Sequence, residues 1–559
     1  GPMPDRAPRR CRRRGRARSG ARRATITVAI AAGVLGCMET AAPGGAGGPV
    51  EVVDTVAVVL RLDSGQAPIS PYIYGSNQDH PGSVWTVRRW GGNRTTGYNW
   101  ENNASNAGAD WDHSSDLYLV TNAGLPESAA ETPGSVIRHH HQASLAMGAE
   151  SIITIPMAGY VAADAGGPVS ETETAPSDRW VPVDYAKSEP LTTDPDLEDG
   201  RVFADEMVHL LVQSFGGAAS GDGVRWYSLD NEPALWAHTH PRLHPDPVNA
   251  TELVDRTVAL ASAIKEVDPG AGVLGPVLYG MTAFVSLQEA PDWTRIGAGY
   301  DWFIDYYLDA LREAGAATGR RLVDALDVHW YPEARGDHPI TDPAATTPAD
   351  VAARLQAPRT LWDPTYTEDS WIGEWLGEFL PILPVLRRAI DEHYPGTALA
   401  VTEYDYGGGA TVSGGLAQAD VLGAFGRYGV DIATAWGMGP EDDYRAAGFR
   451  LYRDYDDQGG RFGDTSVPAG TSDPETLSVW AAVNSNGSTL HIVLINKRPD
   501  GAVAVELELD GGGSYTTGGV WGFGPGSPAI TARDPVTDLT DSSASYVVPA
   551  HSAVHLVLR

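Results

Sequence analysis

Two short stretches of this chain each set a glutamate directly after an apolar, β-prone run. WYSLDNEP (226–233) carries Asn231 and Glu232 just before its final proline, and LAVTEY (399–404) carries Glu403 just before its final tyrosine. Two carboxyls at the C-terminal ends of different strands of one barrel, facing a common cleft, are what glycosidic bond cleavage needs. One must be protonated to give its proton to the leaving oxygen, and the other must be ionised to attack or to activate water. Asn231, next to the first carboxyl, suits a hydrogen bond to a sugar 2-hydroxyl that strengthens in the transition state. The plainer alternative for Glu232 is a carboxylate starting a helix ahead of Pro233, which the helix dipole favours.

Three further side chains belong with this pair. In VHWY (328–331), His329 and Tyr331 flank Trp330 at a strand end, so both face one side. A Tyr331 hydroxyl donating to Glu403 would keep that carboxylate ionised; the alternative is a buried aromatic satisfied elsewhere. Arg89 or Arg94 could add positive charge near Glu403, and the sequence does not choose between them.

Such residues need a scaffold, and the pattern from 69 to 444 supplies one. Runs such as SIITIPMA (151–158), RWYSLD (225–230), GVLGPV (272–277), ALDVHWY (325–331), ALAVTEY (398–404) and DIATAW (431–436) alternate with helical stretches. The helical stretches include 251–267 and 302–315. Alternation of this kind predicts a parallel sheet, and this many units predicts a closed (β/α)8 barrel of the TIM type, in the α/β class. From 445 to 559 short strands separated by Gly, Asp and Asn turns predict an antiparallel β-sandwich. The strand within 51–68 precedes the barrel and is expected to join that sandwich.

The first 50 residues read differently. Gly1-Pro2 ahead of Met3 looks like a cloning scar, ten arginines fill 6–23, and the apolar run ATITVAIAAGVLG covers 24–36. A basic region followed by an apolar stretch this short reads as an export signal over 1–37 rather than a membrane span. Val34-Leu35-Gly36-Cys37 resembles a bacterial lipobox, so the expected location is secreted or cell-surface, with a lipid anchor at Cys37 as the second option. Residues 38–50 form a small-residue tether. Without residues 1–36, which carry ten Arg and one Asp, the formal charge moves from −32 to about −41. That field disfavours nucleic acid and suits a neutral polymer as partner. Both cysteines, Cys11 and Cys37, lie in this leader region, so stability is expected from core size rather than from a disulfide.

Several signals carry less than they suggest. GAGVLG (270–275) matches a dinucleotide-binding glycine pattern, but a helix precedes it and a strand follows, the reverse of the required order. His238, His240 and His244 could ligate a metal, yet rim contacts in a proline-rich loop account for them. His139-His140-His141 reads as a helix surface with one buried ring. DYDDQGGRFGD (454–464) has Asp454, Asp456 and Gly459 in calcium-loop positions but Thr465 where the bidentate glutamate belongs.

The chain resembles glycoside hydrolase family 44. The motifs that carry the resemblance are ISPYIYGSN (69–77), RWGGNRTTGYNWENNASNAG (89–108), YSLDNEPALWAHTHPRLHPD (227–246), LDVHWYPEARG (326–336), QAPRTLWDPTYTEDSWIGEW (356–375), TEYDYGGGATVSGGLAQADVLGAFGRYG (402–429) and FRLYRDYDDQGGRFGDTSV (449–467). They cover the barrel and the start of the β domain; the leader and the last ninety or so residues match less specifically. The resemblance implies a retaining endo-β-1,4-glucanase acting on a β-glucan polysaccharide, xyloglucan included, with Glu232 as acid/base and Glu403 as nucleophile. It implies no cofactor for catalysis and admits a structural calcium, whose ligands the sequence does not identify. It also favours Trp90, Trp371, Trp375 and Trp436, among sixteen tryptophans, as platforms on which pyranose rings stack. Trp371 and Trp375, four apart on a helix, would serve equally as a core stripe. A mannanase or xylanase on the same scaffold and a non-catalytic carbohydrate-binding protein are the alternatives, and a monomer is expected.

Overall fold

The computed structural model describes residues 51–82 and 84–559. The expected export signal at 1–37, the expected tether at 38–50 and both cysteines lie outside the described residues. Eight parallel strands close into a barrel: Gly75–Ser76, Val87–Trp90, Glu150–Ile155, Trp226–Leu229, Gly272–Leu278, Ala325–Trp330, Ala398–Tyr404 and Ile432–Ala435, numbered one to eight here. The last six coincide with the apolar runs read from the sequence. Strand one is two residues long and strand two is Val-Arg-Arg-Trp, so neither has an apolar run to announce it.

The barrel interior is layered by the two-residue period of its strands. One layer takes a single residue from each of strands two to eight: Val87, Ile152, Trp226, Leu274, Ala325, Ala400 and Ile432. Two positions further along, on the same faces, stand Arg89, Thr154, Ser228, Asp327, Thr402 and Thr434, all buried. The barrel therefore changes from apolar to polar along its axis, toward the strands' C-terminal ends.

Around it lie helices such as Ala250–Val267, started by a reciprocal cap between Asn249 and Glu252, and Phe303–Thr318. The helix Asp443–Arg453 packs on Val412–Arg427 and carries helical structure past residue 445. The strand-only character expected from 445 thus begins at Thr465. Its signal was missed because the helix is buried over most of its surface, Arg445 to Phe449 in succession, and so shows no one-sided apolar stripe.

The β domain stacks a seven-stranded sheet on a four-stranded one. Val52–Arg61 joins the smaller sheet, pairing antiparallel with Ala469–Thr471 but parallel with Ala502–Asp510. The whole barrel separates Val52–Arg61 from Ala502–Asp510 in sequence, so no hairpin constrains them to be antiparallel. The larger sheet's outer face meets the buried helix Val412–Arg427. There Asp420 accepts hydrogen bonds from Trp480 Nε1 and Ser478 Oγ, both at 2.8 Å. Gly423 lets the Trp480 ring lie against the helix, since a Cβ would come within 2.1 Å of it. Among the described residues no helix is long and apolar enough to cross a membrane.

Candidate active site

Strands four and seven deliver the two glutamates. Beyond strand four the chain turns sharply: Asp230 and Glu232 both have left-handed backbone, with φ of 64° and 47°. Such conformations cost non-glycine residues free energy and persist where the surroundings hold them. Here the holder is Asp230. Its buried carboxylate accepts from Thr96 Oγ1 at 2.6 Å, from the Asn231 amide at 2.7 Å, from the Ala158 amide at 3.1 Å and from Trp236 Nε1 at 3.3 Å. The Met157 amide donates to it as well.

On strand seven, simple alternation would turn Glu403 away from the face that carries Ala400 and Thr402. A bulge prevents this: Val328 pairs with Val401, but His329 pairs with Glu403. The extra residue re-aims Glu403 to the face shared with Asp327 and His329. One oxygen of Glu232, one of Glu403 and a ring nitrogen of His329 consequently lie within 4.8 Å of one another.

The two carboxyls sit in different environments. Glu403 accepts from Arg89 Nη1 at 2.7 Å and from the Tyr331 hydroxyl at 2.7 Å. Arg89 also donates to Asn77 Oδ1 at 3.1 Å and Asn231 Oδ1 at 2.9 Å, so one guanidinium ties together the ends of strands one, four and seven. Arg94 pairs instead with Asp116, at the end of the short strand Ser114–Asp116. Glu232 has no cation bonded to it. Burial pushes its carboxyl up to about 7, with the more distant Arg89 pulling down and Asp110 adding a smaller upward push.

His329 joins the pair from below. Its Nδ1 is 2.8 Å from Glu232 Oε1 and 3.5 Å from Glu403 Oε2. Burial lowers the imidazole to about 3, against the pull of Glu403, so the ring is neutral. His329 is fully buried, and its ring touches the two carboxyls. These three side chains could in principle ligate a metal, but Arg89 puts a permanent cation on Glu403, where a metal ion would have to approach. In the 454–464 loop Asp454 accepts from the Gly459 amide, and Asp456 from those of Gln458 and Gly460. These oxygens cap the loop's own turns, and Thr465 leaves the loop without the bidentate carboxylate of a calcium cage.

The tryptophans divide. Trp90 and Trp436 line a cavity of about 700 Å³ that reaches Arg89 and Asn77. Trp90 is only 8% exposed and packs edge-on against Tyr98, so it offers a margin rather than a face. Trp436 is half-buried and lies on Gly92, where a Cβ would meet its ring at 2.7 Å. Trp371 and Trp375 occupy the short helix Trp371–Trp375 after strand six and are 38% and 69% exposed, which rules out a core stripe. His141 is the one fully buried ring of its triplet. His244 pairs with Glu252 at 3.1 Å and His240 is buried, in keeping with a loop role.

Sequence reasoning missed Asp230 and Asn77 and left Arg89 undecided. The Asp in DNEP was a usable signal, being a third acceptor at a turn. Asn77 offered none, since its partners come from strands two, seven and eight.

A family model for glycoside hydrolase family 44 matches residues 104–334. The chain is 48% identical over 507 residues to endoglucanase A of Paenibacillus lautus, covering 90% of this chain and 72% of that protein. The structure of Cel44A, a family 44 endoglucanase from Clostridium thermocellum, superposes with a TM-score of 0.89 at 52% identity, covering 90% of this chain and 100% of that one. A Paenibacillus polymyxa family 44 xyloglucanase solved with xyloglucan gives 0.88 at 50% identity, covering 90% and 99%.

Proposed function

Because this chain belongs to glycoside hydrolase family 44, we propose that it is a retaining endo-β-1,4-glucanase with xyloglucan and soluble cellulose derivatives as its leading substrates. The observation that carries the reading is the approach of the Glu232 and Glu403 carboxyls to within 4.8 Å, one desolvated and one held by a cation. Retaining enzymes keep their carboxyls roughly 5–5.5 Å apart; inverting ones need about 6.5–9.5 Å to admit water.

Glu232, protonated, gives its proton to the glycosidic oxygen as the bond from that oxygen to C1 breaks and Glu403 bonds to C1. The anionic Glu232 then takes a proton from water, whose oxygen attacks C1 and releases Glu403. Asn231, its oxygen fixed by Arg89, keeps its amide N–H for the 2-hydroxyl of the reacting sugar. Catalysis needs no cofactor. Trp371, Trp375 and Trp436 serve as sugar platforms. Export rests on the basic-then-apolar leader, and acylation at Cys37 on the lipobox resemblance alone.

Hydrolysis of soluble xyloglucan followed by proton NMR should release the β-anomer within the first minutes. Initial α-anomer would replace the double displacement with inversion. Reducing-sugar assays on xyloglucan, carboxymethylcellulose, mannan and xylan test the substrate class: preference for mannan or xylan would redirect the specificity, and no release from any polymer would favour a binding protein.

Truncating Trp375 to Ala should weaken oligosaccharide binding by about tenfold, within the ~0.5–1.5 kcal/mol typical of aromatic stacking beyond area burial. Its melting temperature should hold, because the ring is 69% exposed. A core Trp→Ala change would instead cost ~3–5 kcal/mol of stability. Unchanged affinity by titration would remove Trp375 from the cleft.

A further inference from the structure

Glu403 is the inner end of a continuous chain of side-chain hydrogen bonds that runs to the protein surface. Arg89 Nη1 donates to Glu403 at 2.7 Å, and Arg89 Nη2 donates to Asn231 Oδ1 at 2.9 Å. Asn231 Nδ2 donates to Asn93 Oδ1 at 3.1 Å, and Asn93 Nδ2 donates to Asp110 Oδ2 at 2.9 Å. Donor and acceptor roles along this chain are forced from both ends. A guanidinium only donates, so the Asn231 atom beside it is its oxygen. That turns the Asn231 amide nitrogen toward Asn93, whose facing atom must then accept. The Asn93 nitrogen is left pointing outward, and an ionised carboxylate, which only accepts, receives it there.

Asp110 sits on the turn Gly108–Trp111, after strand two, and is exposed; Asn93 begins the short helix after the same strand. An exposed hydrogen bond contributes little to stability. The chain's use lies elsewhere: an asparagine amide held only at its oxygen can still swing, and Asn231 is the group set to meet the sugar 2-hydroxyl.

We propose that Asp110 is a positioning residue, which through Asn93 locks the amide of Asn231 in the orientation that serves the transition state. The inference rests on the glycosidase reading above. Asp110 does not contact the reacting atoms. Its charge also reaches Glu232, adding to the upward push of burial on that carboxyl. The other ionisable groups facing Glu232 are His329, Arg89, Glu403, Tyr331 and Tyr279.

The test uses the full chain with soluble xyloglucan and an aryl cellooligosaccharide. Asp110→Ala should lower kcat by about 10- to 100-fold, the scale of a misplaced reacting group. KM should stay within about twofold and the melting temperature should be unchanged. Asp110→Asn, which keeps an acceptor for Asn93, should recover kcat to within about threefold of wild type, with the basic limb of the kcat/KM profile moved to lower pH. Asn93→Ala should match Asp110→Ala, and the double variant should lose no more than either single one, because members of one chain do not add.

A kcat within twofold of wild type in Asp110→Ala, a loss confined to KM, additive losses, or an Asp110→Asn variant as poor as the alanine variant would each overturn the proposal. Glu232→Gln run beside them separates the two levels of inference. Full activity there removes Glu232 as the acid/base of this site, and with it the premise. A dead Glu232→Gln with an unaffected Asp110→Ala removes only the positioning role.

Discussion

Glu403→Gln is expected to lower kcat on polymer by about 10⁴-fold or more, the scale seen when one member of a catalytic unit is deleted. The amide cannot form the covalent glycosyl-enzyme. It also leaves the Arg89 guanidinium, fully buried beside it at 2.7 Å, without its counter-charge. Two consequences can be read apart. Activity should stay low even on aryl glycosides with good leaving groups, because the missing step is attack on C1 and not protonation. Stability should also fall, since a buried cation that loses its partner is costly. An active Glu403→Gln enzyme on either substrate would place the nucleophile elsewhere. A destabilised variant is distinguished from a merely inactive one by its thermal melt and by retained oligosaccharide binding.

Glu232→Gln is expected to cost about 10²–10⁴-fold on polymer, the usual contribution of general acid catalysis, and much less on activated aryl glycosides, which leave without a proton. The pH behaviour follows from the position of the carboxyl. With Glu232 pushed up to about 7, kcat/KM in the wild type should fall as pH rises through that value, because the acid needed for the first step is lost. The linked effect on stability has a definite sign. In the unfolded chain the same carboxyl titrates near ~4.3. Between that value and about 7 the folded protein holds more protons, so stability falls as pH rises through this window. The variant lacks this loss: its melting temperature should exceed that of wild type at pH 8 and approach it near pH 4. Asp327, also raised to about 7 by burial, contributes a similar slope that survives in the variant. If wild type and variant show parallel melting profiles from pH 4 to 8, Glu232 is not the desolvated acid.

Much of this site was legible before any coordinates. The runs ending at Glu232, Tyr331 and Glu403 are apolar enough to be strands. A carboxyl or phenol at the C-terminal end of a barrel strand has nowhere to project except the mouth. That reasoning also put Tyr331 on Glu403, and the hydroxyl is 2.7 Å from it. For His329 it gave the side of the strand but not the depth, and the ring is fully buried. Alternation gives the side a residue faces, and not how far down the barrel it sits. It failed for strands one and two, because Gly75-Ser76 and Val87–Trp90 gain their place from neighbours and not from their own hydrophobicity.

The sequence by itself determined much of the local chemistry: which apolar runs are strands, where most of the helices lie, and which carboxyls end up at strand tips. Those properties follow from periodicity and side-chain type, which act over a few residues. Only the tertiary structure decided which arginine serves Glu403, because Arg89 and Arg94 differ in how two loops and three strands close around them. It also decided that a bulge re-aims Glu403, since a one-residue slip in pairing is set by the neighbouring strand and leaves no mark in the strand's own pattern. The raised Glu232 carboxyl is of the same kind: desolvation is a property of everything packed around a group, and His329, which touches it, lies 97 residues away in the chain.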